Sequence, residues 1–119
     1  MNITVTRDKG WCRLSVLEKA RWTPSTFFPQ LDSAIARISV ALSEDPKAPI
    51  LFDLSALSTI DSSLITLVVQ TVRMAGTGRV NVVVSSPEVY SWLALLGINQ
   101  LAEIFSSEEE WRIKKNVDQ

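Results

Sequence analysis

The sequence predicts one α/β domain: a mixed, mostly parallel sheet of four to five strands with about four helices packed against it. Three observations carry this. Two short apolar runs, Ile50-Leu51-Phe52-Asp53-Leu54 and Val80-Asn81-Val82-Val83-Val84, suit strands buried on both faces, as a parallel sheet requires. Around them the apolar spacing changes to a helical period, so strands and helices alternate. The chain has 119 residues, 46% of them hydrophobic, enough for one core and too few for two ordinary domains, so 1–119 reads as one domain. Area scaling gives a folded surface of about 6,400 Å² against about 19,000 Å² extended, so about two-thirds is buried without a metal or disulfide staple.

Each element follows in order. Ile3-Thr4-Val5 and Arg13-Leu14-Ser15-Val16-Leu17 alternate apolar with polar, and Arg7-Asp8-Lys9-Gly10 supplies turn chemistry, which predicts a hairpin of 2–6 with 11–17. Cys12 sits in the second arm as a small packed residue. From Thr26, the stripe Phe28, Leu31, Ile35, Ile38, Leu42 is spaced for a helix. Ser25 or Thr26 caps it, Pro29 falls in its first turn, and Ser43-Glu44-Asp45-Pro46 ends it. The strand at 50–54 leads into a helix over 62–75, stopped by Gly76 and Gly78. After the strand at 80–84, Ser86, Pro87 and Glu88 open a third helix and Gly97 follows its end. Its stripe of Val89, Trp92, Leu93 and Leu96 is expected to be buried, and Trp11 and Trp111 are expected to pack near element ends. Ile104-Phe105 forms a short last strand. Ser107-Glu108-Glu109-Glu110 then reads as a capping box, with Lys114 and Lys115 at the far end of the final helix.

Composition removes several function classes. With no histidine, the chain builds no Ser-His-Asp triad, no Cys-His pair and no histidine-containing zinc site, and one cysteine cannot supply a cysteine-rich metal site. No cofactor, no metal and no enzymatic activity are expected. The net charge of -1 offers no basic field for direct nucleic-acid contact. No apolar run approaches the roughly 18 residues of a membrane helix, so membrane insertion is not expected. Met1-Asn2-Ile3-Thr4 does not open like a secretion signal, and a lone Cys12 fits a reducing compartment, so the expected location is cytoplasmic.

The informative stretch is Asp53-Leu54-Ser55-Ala56-Leu57-Ser58-Thr59-Ile60-Asp61-Ser62-Ser63-Leu64. It leaves the C-terminal end of a buried strand, where open α/β sheets place their sites, and enters a helix. Asp61 suits the N-cap. At 100° per residue, with Ser62 at 0°, Arg73 falls at about 20°, Thr66 at about 40°, Gln70 at about 80° and Ser63 at about 100°. Leu64, Ile65, Val68, Val69, Val72 and Ala75 take the opposite side. Ser62 therefore heads a narrow polar stripe, where the helix dipole accepts negative charge. A phosphate there adds about -1.5 to -2 charge and leaves the fold nearly intact while changing what the surface binds. The alternative is that Asp-Ser-Ser is only a helix cap.

Strand, loop and then Ile60-Asp61-Ser62-Ser63-Leu64 resemble the signature of STAS domains, especially the bacterial anti-sigma factor antagonists. Ile50-Leu51-Phe52-Asp53-Leu54, Val82-Val83-Val84 with Ser86-Pro87-Glu88-Val89, Leu95-Leu96-Gly97-Ile98 and Ile104-Phe105-Ser106-Ser107-Glu108-Glu109 extend the resemblance over 48–113. It implies a phosphorylation-controlled partner switch. The unphosphorylated form binds an anti-sigma factor that is also a serine kinase, which frees a sigma factor; phosphorylation breaks that contact, and a serine phosphatase resets it. The modified residue corresponds to Ser62, with Ser63 as second choice. Asp61, Ser62 and Ser63, joined by the geometric stripe Thr66, Gln70 and Arg73, form the expected partner surface; Asp53 and Leu64 support it from within. The expected assembly is a monomer or weak dimer. The antagonists usually carry glycine directly after Asp-Ser-Ser, where this chain has Leu64. Two other readings of the resemblance are a stressosome-type STAS scaffold and a STAS accessory subunit of a membrane transporter for lipids or anions, the latter docking without a phosphate cycle.

Overall fold

The hairpin forms with a longer first arm than expected. β1 (Asn2–Asp8) pairs antiparallel with β2 (Trp11–Leu17) from Asn2↔Leu17 to Asp8↔Trp11. The pairing continues through Arg7 and Asp8, past the end of the apolar alternation, so two residues, rather than four, connect the arms. The computed structural model describes residues 2–8, 11–17, 24–44, 48–57, 62–76 and 78–115. Among them, β3 (Ile50–Asp53), β4 (Val80–Val83) and β5 (Glu103–Phe105) complete a sheet of order β1-β2-β3-β4-β5, parallel from β2 onward.

The first helix, α1 (Pro24–Glu44), starts before Thr26. Pro24 opens it, a position where proline loses no hydrogen bond, so Ser25 and Thr26 lie inside the helix and Pro29 past its first turn. Of its expected stripe, Ile38 is buried and Ile35 and Leu42 are half-buried; the side chains of Phe28 and Leu31 lie outside the described residues. The second, α2, spans Ser62–Ala75 as the spacing predicts.

The third, α3 (Pro87–Leu95), is capped by Ser86, whose Oγ accepts from the Val89 N–H at 3.4 Å. It corrects one expectation: Val89 and Leu93 are buried, but Trp92 is 47% and Leu96 51% exposed. The helix stops at Leu95, so Leu96 leaves the stripe, and Trp92 falls on the helix flank. Gly97, at φ +79°, takes the left-handed turn that starts α4 (Ile98–Leu101), a short helix absent from the sequence reading.

One face of the sheet holds most of the core. Leu14, Val16, Ile50, Phe52, Val80 and Val82 meet Ile38 of α1, Leu64, Leu67 and Val68 of α2, and Val89 and Leu93 of α3; Cys12 is buried among them. The opposite face gathers Trp11, Leu51, Val83 and Phe105 under Trp111 of α5 (Glu108–Lys115). The accessible surface is 6630 Å², close to the value expected from chain length.

Ser107 caps α5, its Oγ accepting from the Glu110 N–H at 3.1 Å. The box is rearranged, however. Glu110 accepts from the Ser106 hydroxyl at 2.7 Å. At the other end, Lys114 and Lys115 pair with Glu103 at 2.9 and 2.7 Å, and hydrogen bonds to Lys115 and then Lys114 hold its carboxyl below the usual glutamate range. A lowered folded pKa contributes stability that is present above the ordinary carboxylate value and is lost as pH falls through the lowered one. Glu103→Gln is therefore expected to be less stable than wild type above the ordinary carboxylate value and to converge with it in acid, which flattens the acid limb of its stability curve. Urea midpoints measured against pH check this; an unchanged acid limb would remove the pair's role.

Candidate functional site

The site is built around the C-terminal end of β3. The Leu54 N–H donates to the Val83 carbonyl at 2.9 Å, extending the ladder by one bond, and the Leu57 N–H donates back to the Leu54 carbonyl at 3.1 Å. Leu54 and Leu57 are buried, so the turn is anchored at both ends while Ser55 and Ala56 face out.

Asp53 organises this turn with both oxygens. Oδ1 accepts from the Ser55 N–H at 3.1 Å and the Ser55 hydroxyl at 2.5 Å, an Asx-type closure; Oδ2 faces Arg13 Nη1 at 3.3 Å. Arg13 is held in turn by Glu108, which also takes Arg112 at 3.0 Å. Both arginines lie over the Trp11 ring, at 5.2 and 5.1 Å from its centroid. The Ser85 hydroxyl donates to the Ser55 carbonyl at 2.5 Å, fastening the turn to the segment after β4. Asp53, expected to support the site from beneath, thus fixes the turn that leaves β3.

Residues 58–61 follow, so Asp61 lies outside the described residues, as do the side chains of Ser62 and Ser63. The backbone of Ser62 begins α2. Further along that helix, Leu64, Leu67, Val68 and Val72 are buried, Ile65, Val69 and Gln70 half-buried, and Thr66, Arg73 and Met74 exposed. The helix thus separates its faces as the wheel requires. Leu64 points into the core, and Thr66 and Arg73 continue outward along the line on which Ser62 starts. Gln70 sits at the margin of that line. Arg73 occupies the last turn of α2, where a cation suits the negative end of the dipole, and the first turn carries no acidic side chain. Thr71, buried on the far side, donates its hydroxyl to the Leu67 carbonyl at 2.9 Å and needs no ligand.

Sequence reasoning missed a groove beside this turn. It has a volume of about 490 Å³ and lies between the segment after β4 and the start of α5, lined by Ser85, Ser86, Tyr90, Phe105, Ser106 and Glu110 among others. Only the helix-cap signal of Ser86-Pro87 marked the region. Among the described residues no cluster of acidic or cysteine side chains could hold a metal ion, and no helix is long and apolar enough to cross a membrane.

Comparison with known proteins places this geometry. A family model of the STAS domain matches residues 25–111. The unphosphorylated anti-sigma factor antagonist SpoIIAA superposes with a TM-score of 0.70 at 18% identity, covering 98% of this chain and 99% of that one. An anti-sigma factor antagonist from Mycobacterium paratuberculosis gives 0.70 at 19% identity, over 92% and 88% of the two chains. The Bacillus cell fate determinant SpoIIAA in its phosphorylated form gives 0.66 at 18%, over 94% and 97%. No curated protein sequence matches. The family match and the sheet order together establish that this chain belongs to the STAS domain family and has the fold of the anti-sigma factor antagonists.

Proposed function

We propose that the chain is an anti-sigma factor antagonist whose affinity for its partner is set by phosphorylation of Ser62. The observation that carries this reading is the division of α2: Leu64 is fully buried while Thr66 and Arg73 are exposed on the line that begins at Ser62. A phosphate at that helix start meets the positive end of the dipole. The same charge would repel an acidic partner surface and desolvate poorly at an interface. Asp61, Ser63, Thr66, Gln70 and Arg73 complete the docking surface, and the Asp53–Ser55 turn sets the direction from which the chain enters it. The partner in this reading is an anti-sigma factor with serine kinase activity, a serine phosphatase reverses the modification, and the protein acts in the cytoplasm without catalysing a reaction itself.

The test is an affinity pull-down from native cells with wild type, Ser62→Asp and Arg73→Glu as baits, followed by mass spectrometry. Ser62→Asp is expected to keep its stability within about 0.5 kcal/mol, as surface changes do, and to lose a serine kinase of the anti-sigma type held by wild type. Arg73→Glu is expected to weaken the same capture about tenfold, the loss of about 1.4 kcal/mol at an interface. Equal recovery of a transporter ATPase by all three baits would instead support the accessory-subunit reading, with Ser62 reduced to a helix cap.

A further inference from the structure

The two edges of the sheet are finished differently. β5 is three residues long, carries Glu103 in ion pairs with Lys114 and Lys115, and has α5 packed beside it. β1 is seven residues long, with no proline, lysine or bulge, and its register with β2 is unbroken. Its charged positions are its last two, Arg7 and Asp8. Sheets that must stay unpaired blunt such edges with the devices found at β5 and missing from β1.

The polarity of this edge follows from the hairpin. A connection of two residues makes the flanking pair, Asp8↔Trp11, a hydrogen-bonded one, and antiparallel pairs alternate. Counting back, Thr6 and Thr4 bond to β2, whereas Val5 turns its N–H and C=O to the free edge. Next to Val5 lies an apolar groove of about 390 Å³, closed on its other side by Ala36, Arg37, Val40 and Ala41 of α1. Val40 is 58% exposed there.

We propose that a second copy of the chain occupies this edge, β1 pairing antiparallel with β1 about a two-fold axis at Val5. Two sequence patterns are symmetric about that level. Thr4-Val5-Thr6 reads the same in both directions, so Val5 meets Val5 and each Thr4 meets a Thr6, pairs that stabilise sheets. Arg7 falls opposite Ile3 rather than opposite another arginine. In α1, Arg37 and Glu44 are equally distant from the midpoint of Val40 and Ala41, the residues that share the groove with Val5. Antiparallel approach of two α1 helices at that midpoint sets Arg37 opposite Glu44 of the other copy, twice, with Val40 and Ala41 between them. An isologous contact needs this self-complementarity. A foreign extended segment could satisfy β1 but would have no counterpart to the charge pattern on α1.

Analytical ultracentrifugation of the full chain over a concentration series tests the proposal. The weight-average mass of wild type is expected to rise from 13.2 kDa toward twice that value. Val5→Pro removes an N–H that β2 does not use, so the variant is expected to remain folded by circular dichroism and monomeric throughout. Arg37→Glu is expected to weaken association about tenfold, and Arg37→Glu with Glu44→Arg to restore it, which tests the same axis without touching β1. A wild type that stays at the monomer mass into the millimolar range overturns the proposal. So does a dimer indifferent to Val5→Pro and to the charge exchange, or a monomer whose β1 amides become protected from hydrogen exchange only when a different protein is added.

Discussion

Replacing Trp111 by alanine is expected to destabilise the fold by about 3–5 kcal/mol, the range for deleting a large buried aromatic side chain. Trp111 is the one fully buried residue of α5, while Ile113 on the same helix is 74% exposed. Its ring meets Trp11 edge to face, with centroids 4.9 Å apart and planes at 67°, a geometry that adds to area burial. The other attachments of α5 include the Arg112 guanidinium over the Trp11 ring and partly exposed ion pairs of Glu108 with Arg13 and of Lys114 and Lys115 with Glu103, and exposed pairs contribute about 0–1 kcal/mol each. Without the indole, α5 has too little to hold it on the sheet, and Trp11, Leu51, Val83 and Phe105 are uncovered. Thermal unfolding should show a drop of about 10–20 °C, using about 3–5 °C per kcal/mol for a chain of this size. Iodide should gain access to Trp11. Trp111→Phe separates the causes. The indole N–H has no hydrogen-bond partner among the described residues, so phenylalanine loses area without orphaning a polar group, and its cost should be about half or less. A Trp111→Ala variant within about 1 kcal/mol of wild type would mean that the ion pairs, not the ring, hold α5.

The contrast between this helix and α3 shows how far local pattern reaches. Sheet, hairpin and α2 were legible because their apolar spacing is regular. Leu64, Leu67, Val68 and Val72 face one core, and the wheel that buries them also brings Thr66 and Arg73 outside. α3 carries apolar residues nearly all round, so its spacing cannot say which of Val89, Trp92, Leu93 and Leu96 the sheet covers; packing chose Val89 and Leu93. The site divides in the same way. Asp53 was named through the family resemblance. Its partners were not, because Arg13 and Ser85 reach it across the sheet from positions 40 and, through Ser55, 30 residues away in sequence. No local pattern encodes contacts of that range. The α5 latch on Arg13 escaped for the same reason, although Glu108 itself had been placed correctly in the first turn of its helix.

Leu64→Gly restores the residue that anti-sigma factor antagonists usually carry after Asp-Ser-Ser, and it is expected to cost this chain about 3–6 kcal/mol. Leu64 is fully buried in the third position of α2, against the cluster that includes Leu67 and Val68. Emptying such a site to alanine costs about 2–5 kcal/mol, and glycine in a helix adds about 1 kcal/mol over alanine. Leu64→Ala and Leu64→Gly should therefore differ by no more than that last increment, because the loss is one of packing and not of backbone freedom. Urea denaturation of both variants beside Ser62→Asp makes the comparison internal. Two residues apart on one helix, a charge added at the stripe should be nearly silent in stability, and a side chain removed from the core should be among the most damaging changes available. If Leu64→Gly costs less than about 1 kcal/mol, the start of α2 is not packed on the sheet. The separation of a modifiable outer line from a structural inner one would then fail at the residue that defines it.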